Sequence, residues 1–241
     1  MKVLMIIPAY NEELNIKRTV DSIIKYNKKS KYDIDYVVIN DGSTDETYKI
    51  CLENKFNVIN LIKNLGIGGA VQTGYKYAYD NNYDVAIQFD GDHQHDENYI
   101  DSLVEEIENG YDFVIGSRFI SNLSKFRSSS ARRLGINILS FLIKLTTGFK
   151  IYDPTSGFRA ANKKVIKIFS QTYPIEYPEP ESSVYLIRKK FKVKEVPVEM
   201  RERKFGTSSI KPLKSVYYMF SVAISIIITS ILKEEQLWIL L

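Results

Sequence analysis

The chain has 241 residues, 44% of them apolar and 26% charged, which is enough to bury a full α/β core and excludes a disordered chain. A single cysteine, Cys51, excludes a disulfide framework and a cysteine-based metal centre, and it reads as a small buried group on a helix. Arg118, Lys125, Arg127, Arg132, Arg133, Lys144 and Lys150 stand with no acid between 118 and 152, and subtracting those seven from the net +4 leaves the remainder at −3; one stretch thus carries the whole positive excess and points to an anionic partner.

From the N-terminus, strand and helix patterns alternate, which predicts a parallel sheet with crossover helices. Strands are expected near 2–8, 34–40, 56–62, 84–89 and 111–116, and helices near 12–27, 44–55, 68–80 and 97–109. The first segment meets Pro8 and acids at once, so it reads as a strand and not as a signal peptide. Ile16, Val20, Ile23 and Ile24 share one helical face, as do Ile100, Leu103, Val104 and Ile107. Ser43 with Glu46 forms a capping-box pattern for the second helix. Residues 119–131 are polar and Ser-rich and read as a loop, followed by an apolar helix at 134–147. A turn at 153–157, short helices near 163–170 and 181–190, a strand near 192–199 and a basic loop at 201–211 complete the main body. Residues 216–232 are 17 in a row without a charge, at the lower limit for crossing a bilayer. A spanning helix, an interfacial helix and a packing helix all fit. The expected division is therefore a domain at 1–211 and a membrane-associating or packing helix at 212–241. The basic flank ahead of that helix would hold the domain on the cytoplasmic face, and self-association is left open.

The segment FDGDHQHD at 89–96 carries the strongest chemical signal. Asp90 and Asp92 follow the apolar run Val85-Ala86-Ile87-Gln88-Phe89, so two carboxylates fall just past a buried strand. Hard oxygen ligands there suit Mg²⁺ or Mn²⁺ shared with a substrate diphosphate, and Gln94 adds a neutral oxygen. His93 and His95 could form a His-x-His zinc site, but the Asp-rich, Cys-free surroundings favour a hard cation; both are read as supporting or surface groups. In PAYNEE, Tyr10 can stack on a base and Glu12 can accept from base or ribose donors. A plain strand-to-helix turn capped by Asn11 explains the same residues. Asn40-Asp41-Gly42-Ser43 repeats that geometry: Asp41 could read a base edge, or the segment is a turn and cap. Gly66-Ile67-Gly68-Gly69-Ala70 fails the dinucleotide pattern, because the third Gly would fall at Val71 and the segment follows the third strand. Close helix–sheet packing is the better reading.

PAYNEE, NDGSTD, FDGDHQH, Gly-Ser-Arg at 116–118, DPTSGF at 153–158 and RERKFGTSS at 201–209 occur in the order and spacing of family 2 glycosyltransferases. The chain resembles the dolichyl- and polyprenyl-phosphate mannose or glucose synthase branch over about residues 1–211. The resemblance implies a GT-A α/β fold: a mostly parallel central sheet with helices on both faces. It implies an enzyme that transfers a sugar from a UDP- or GDP-sugar, with Mg²⁺ or Mn²⁺ and inversion, to a polyprenyl phosphate or lipid-linked glycan at a membrane surface. Pro8, Tyr10 and Glu12 would border the nucleotide, with Asp41 near its base; Asn40 departs from the usual acid. Asp90 and Asp92, with Gly91 between them, would hold metal and diphosphate, joined by Gln94. Arg118 would face the acceptor or the sugar, and Arg203 would clamp the diphosphate. Arg127, Arg132 and Arg133 lie where that branch receives its lipid phosphate, although a solvated basic loop explains them too. Many family 2 enzymes place a Glu-Asp pair ahead of this helix; Glu181 stands where the Glu would be and Ser182 where the Asp would be, which makes Glu181 a candidate base, with an acid in the first turn of a helix as the competing reading.

Two other classes compete. A sugar-nucleotide-forming nucleotidyltransferase would open with a Gly-rich, Arg-containing loop, which PAYNEE is not. A non-catalytic adaptor that binds anionic lipid would not need the Asp90, Asp92 and Arg203 set. Nucleic acid is the least fitting partner, because the basic residues are not interleaved with stacking aromatics.

Overall fold

The computed structural model describes residues 1–120, 130–201 and 221–228, with the side chains of all but 130–132. Seven strands form one sheet in the order β3-β2-β1-β4-β6-β5-β7. In chain order the strands are β1 (Lys2–Ala9), β2 (Asp33–Asn40), β3 (Val58–Asn60), β4 (Val85–Gln88), β5 (Phe113–Ser117), β6 (Arg159–Asn162) and β7 (Val193–Pro197). The helices are α1 (Ile16–Asn27), α2 (Thr47–Glu53), α3 (Gly66–Asp80), α4 (Ile100–Glu108), α5 (Ser130–Thr147), α6 (Lys163–Gln171) and α7 (Pro178–Arg188). Residues 221–228 are also helical.

Side chains alternate across a strand, so the apolar run of β1 feeds two cores. Leu4 and Ile6 join the core under α3, α5, α6 and α7. Val3, Met5 and Ile7 join the one under α1, α2 and α4, where Cys51 is buried as expected. All five β1 residues are fully buried, each worth roughly 1.5–3 kcal/mol of hydrophobic stabilisation.

β6 is the strand that periodicity does not reveal. Its four residues, Arg-Ala-Ala-Asn, have neither β-branched nor aromatic character, yet it lies mid-sheet and antiparallel to both β4 and β5. The other pairings are parallel. Because β6 runs backwards, its first residue, Arg159, pairs with Gln88 at the end of β4. A short strand thereby delivers a charged residue to the edge where the parallel strands end.

Several local expectations are corrected. Ile24 is 39% exposed, so the buried face of α1 is Ile16, Thr19, Val20, Ile23 and Tyr26. Ser43 and Glu46 form no capping box: Ser43 Oγ accepts from the Asn11 N–H at 3.0 Å, and Asp45 accepts from the Thr47 N–H. Asn11 does not cap α1, which starts at Ile16; its Oδ1 accepts from the Thr44 N–H at 2.8 Å. The β1 and β2 turns are thus bonded to each other. α5 starts at Ser130, inside the stretch expected as a loop. The expected 211/212 boundary lies outside the described residues, as does most of the 216–232 run. Among the described residues, no helix is long and apolar enough to cross a membrane.

The glycines of α3 serve close packing, but only partly against the sheet. A Cβ on Gly74 would meet Ile6 Cγ2 at 2.2 Å, whereas one on Gly68 would meet the carbonyl oxygens of Pro174 and Ile175 at 2.3 and 2.4 Å. Those backbone atoms cannot swing aside. Gly68→Ala gains about 1 kcal/mol of helix propensity, but the overpacking outweighs it. A net loss of about 1–3 kcal/mol is expected, read as a lower urea midpoint with an unchanged m-value.

Candidate active site

In an open α/β sheet, ligands bind beyond the carboxyl ends of the strands, at the crevice where strand order reverses. Here β1 lies between β2 and β4, and the segments leaving all three carry the residues singled out in the sequence. Pro8 is buried in β1, and Tyr10 just beyond it is 47% exposed. The Glu12 N–H donates to Thr47 Oγ1 at 2.8 Å, and its carboxylate accepts from Asn15 Nδ2 at 2.8 Å. Asn40 is buried and donates to Asn60 Oδ1 at 2.5 Å. Asp41 is buried and accepts from the Leu65 N–H at 2.7 Å. Burial pushes its carboxyl above the usual range, and the N–H groups of Leu65 and Gly66 offset part of that. Gly42 turns the chain with φ +63°, a region that favours glycine.

The β4 loop folds back on itself. Gly91 approaches β1 so closely that a Cβ would sit 2.9 Å from the Pro8 carbonyl oxygen. Asp92 Oδ1 accepts from the Gln94 N–H at 3.0 Å, and His93 takes a left-handed φ of 61°. That reversal returns His95 beneath the loop. His95 is fully buried, packed on Phe89 and Phe158 with ring centroids 5.4 and 5.0 Å away. Its Nε2 lies 3.0 Å from Asp90 Oδ2. It is a support for Asp90, not a surface group. Gln88 Nε2 donates to Asp90 Oδ1 at 3.1 Å. Burial alone would raise the Asp90 carboxyl, but His95, Gln88 and the Arg118 charge hold it below the usual carboxylate value. Gln94 Nε2 donates weakly to the Arg201 carbonyl at 3.4 Å, leaving its Oε1 as the oxygen available to a ligand.

The donor chemistry fits a hard divalent cation: two carboxylates and an amide oxygen, all from one loop. Among the described residues, no group of three or more His, Cys, Asp or Glu could enclose a metal ion. A cation held there would need substrate oxygens and water to complete its shell.

Arg118 leaves the end of β5 and is only 4% exposed. Its Nε and Nη2 donate to the two oxygens of the fully buried Asp153 at 2.6 and 2.7 Å, and Nη2 also donates to Thr155 Oγ1 at 3.0 Å. Such a fork is rigid and directional. The 153–155 turn therefore fixes Arg118. The Phe119 ring lies between guanidiniums, with Arg133 Cζ 3.8 Å and Arg118 Cζ 5.1 Å from its centroid. This brings the start of α5 to the same edge of the sheet. Arg127 and Arg203 lie outside the described residues, as does the side chain of Arg132.

Two acids, Glu179 and Glu181, stand in the first turn of α7. Glu181 accepts from Ser225 Oγ at 2.5 Å, and burial raises its carboxyl. Glu179 is the acid linked to the β4 loop: it shares Gln88 with Asp90, and burial together with the Asp90 charge raises its carboxyl against the pull of Arg159. Arg159 is fully buried. Its Nε donates to the Ser156 carbonyl at 2.5 Å, Nη2 to the Pro154 carbonyl at 3.0 Å, and Nη1 to the Glu179 carbonyl and the Ser182 and Ser183 hydroxyls. One cation thus pins the 153–158 turn to the first turn of α7.

Asp153, Arg159, Glu179 and Gln88 were not singled out from sequence. Gln88 had a usable signal, as the one polar residue in an otherwise apolar strand. Asp153 stood inside a quoted motif, but its partner is 35 positions away.

The comparisons with known proteins point to one family. Residues 5–169 match the family model described as Glycosyl transferase family 2. The chain is 35% identical over 216 residues to the UDP-N-acetylglucosamine–dolichyl-phosphate N-acetylglucosaminyltransferase of Methanococcus voltae, covering 81% of this chain and 84% of that protein. It is 34% identical to the dolichol-phosphate mannosyltransferase of Pyrococcus furiosus, covering 88% of this chain and 60% of that protein. It is 26% identical to the polyprenol monophosphomannose synthase of Mycolicibacterium smegmatis, covering 92% and 86% respectively. Among solved structures, glucosyl-3-phosphoglycerate synthase from Mycobacterium tuberculosis, in complex with Mn²⁺, uridine diphosphate and phosphoglyceric acid, superposes with a TM-score of 0.72. That match has 17% identity and covers 97% of this chain and 80% of that one; it shows a shared fold. By its matched residues and its relatives, this chain is a glycosyltransferase of family 2.

Proposed function

We propose that this protein transfers a sugar, with inversion, from a nucleoside-diphosphate sugar to a polyprenyl-phosphate acceptor. The reading is carried by one observation: carboxylates, a buried arginine fork and an exposed aromatic lie along one sheet edge in a chain whose relatives are named for dolichyl- and polyprenyl-phosphate sugar transfer. Tyr10, Glu12 and Asp41 face the nucleotide, where Asp41 can accept from a base N–H. Asp90, Asp92 and Gln94 would hold a Mg²⁺ or Mn²⁺ ion, whose charge there offsets the negative charge developing on the departing diphosphate. His95 and Gln88 orient Asp90 for that task.

In the reaction an acceptor phosphate oxygen forms the bond to the anomeric carbon as the bond to the diphosphate oxygen breaks on the opposite face. That oxygen is already ionised at neutral pH, so positioning suffices and no general base is required. Glu181 then serves α7 and not the chemistry. Arg118 and Arg133 approach from the acceptor side, where cations match a phosphate.

Thermal melts with UDP and GDP, each with and without Mn²⁺, test the donor. One nucleotide with metal at a hundredfold excess over its Kd is expected to stabilise the protein by about 2.7 kcal/mol. Incubation with the sugar nucleotide and polyprenyl phosphate should then release nucleoside diphosphate. Pyrophosphate release would point to a nucleotidyltransferase, and no acceptor-dependent release would overturn the proposal.

A further inference from the structure

Arg201 grips the β4 loop from outside it. After β7 the chain follows β5, where the Val198 N–H donates to the Ser117 carbonyl at 3.0 Å. It then crosses to the β4 loop, where Met200 pairs antiparallel with His95 and the Arg201 N–H donates to the Gln94 carbonyl at 2.8 Å. The Arg201 carbonyl accepts from Gln94 Nε2 at 3.4 Å. Its guanidinium continues along the same segment: Nη1 donates to the His95 carbonyl at 3.0 Å, and Nη2 lies 2.9 Å from Asp96 Oδ1 and 2.7 Å from Glu97 Oε2. One residue thus engages four consecutive positions, 94 to 97.

Stability does not account for this convergence. The Arg201 side chain is 31% exposed, and ion pairs that water reaches contribute only about 0–1 kcal/mol. The fork acts instead on direction, because its planar donors meet acceptors at fixed angles. What it directs is the loop that carries the proposed cation ligands. A glutamine can turn either its oxygen or its nitrogen to a ligand, and a carbonyl oxygen accepts only from the nitrogen. The Arg201 carbonyl therefore selects the Gln94 orientation that leaves Oε1 for a cation. That contact is long, so the 2.8 Å main-chain bond beside it keeps the two residues in register. The choice matters because, among the described residues, no group of three or more His, Cys, Asp or Glu could enclose an ion. A third protein oxygen beside Asp90 and Asp92 is then a neutral one.

We propose that Arg201 is a positioning residue for the cation: it locks residues 94–97 and presents Gln94 Oε1 as a preformed ligand. The assignment rests on the function proposed above, since it needs a divalent ion at Asp90 and Asp92. A preformed ligand is not reorganised when the ion arrives. Losing the lock therefore weakens ion binding and leaves the chemistry of the loaded enzyme largely in place.

The test compares the full chain with its Arg201→Gln and Glu97→Gln variants. Thermal melts are run across a Mn²⁺ series with saturating UDP and, separately, GDP, and acceptor-dependent nucleoside diphosphate release is followed over the same series. Arg201→Gln is expected to raise the Mn²⁺ concentration for half-maximal stabilisation and half-maximal rate roughly tenfold to hundredfold, as loss of a group that orients a metal ligand does. Saturating Mn²⁺ should restore most of the rate. Loss of folded protein would instead lower the rate by one factor at every Mn²⁺ concentration, and that result would overturn the proposal. So would an unchanged Mn²⁺ requirement. Glu97→Gln removes an ion pair without altering Arg201 and should shift the requirement the same way by less; if Arg201→Gln does not fold, the presence or absence of that shift decides. If wild type itself shows no Mn²⁺ response with either nucleotide, the cation reading of the loop fails and takes the role of Arg201 with it.

Discussion

Asp92→Ala is expected to lower sugar transfer by ~10³-fold or more, because it removes both a ligand and a full negative charge from the proposed cation site. The fold should survive. Asp92 is half-buried and accepts a hydrogen bond from the Gln94 N–H, whose loss costs about 1 kcal/mol. Asp90 would make a less clean test. It is the partner of the fully buried His95, and Asp90→Ala would leave that ring without its acceptor, at a cost of about 1–3 kcal/mol. Loss of activity there would mix misfolding with chemistry. The measurement is the initial rate of acceptor-dependent nucleoside diphosphate release, alongside a thermal melt. A rate within tenfold of wild type at saturating Mn²⁺ would remove Asp92 from the proposed site.

Asp153→Ala carries the largest expected loss of stability. Asp153 is fully buried, and besides the guanidinium fork it accepts from the Arg118 backbone N–H at 3.0 Å. Removing it strands a cation that is almost wholly out of water, which typically costs about 3–5 kcal/mol. That is a large share of the roughly 5–15 kcal/mol that keeps a domain folded. Urea denaturation should register it directly, and a shift under 1 kcal/mol would contradict the buried pair. Asp153→Asn keeps an acceptor for Arg118 and should lose less. The pair is weak support for stability as such. Its consequence for the site is that the orientation of Arg118 is set by the 153–155 turn, so Asp153 variants should also impair transfer beyond the fraction unfolded.

Elements with strong periodicity were legible from sequence. α4 keeps Ile100, Leu103, Val104 and Ile107 buried as expected, and β1, β2 and β4 end within one residue of the expected positions. The same periodicity misplaced Ile24, because an apolar residue at the margin of a helical stripe can face water at little cost. The capping box at Ser43 failed for a different reason. The two turns that leave β1 and β2 sit side by side, and Ser43 and Asn11 satisfy each other's chain in place of a helix end. A local motif lost to a contact 32 residues away.

What the order of residues determined alone was the placement of polar groups directly after apolar strands, since a chain leaving a buried strand must emerge at the sheet edge. That suffices to locate Tyr10, Asp41, Asp90, Asp92 and Arg118 at one rim. What tertiary structure decided was which of these groups are held and by what. Strand β6 enters between β4 and β5 running backwards, and this alone brings Arg159 beside Gln88, and the 153–158 turn beneath Arg118. Burial then selects the partners, because a cation removed from water persists only where oxygens from distant segments converge on it. Those distances through the chain leave no periodic trace in the sequence.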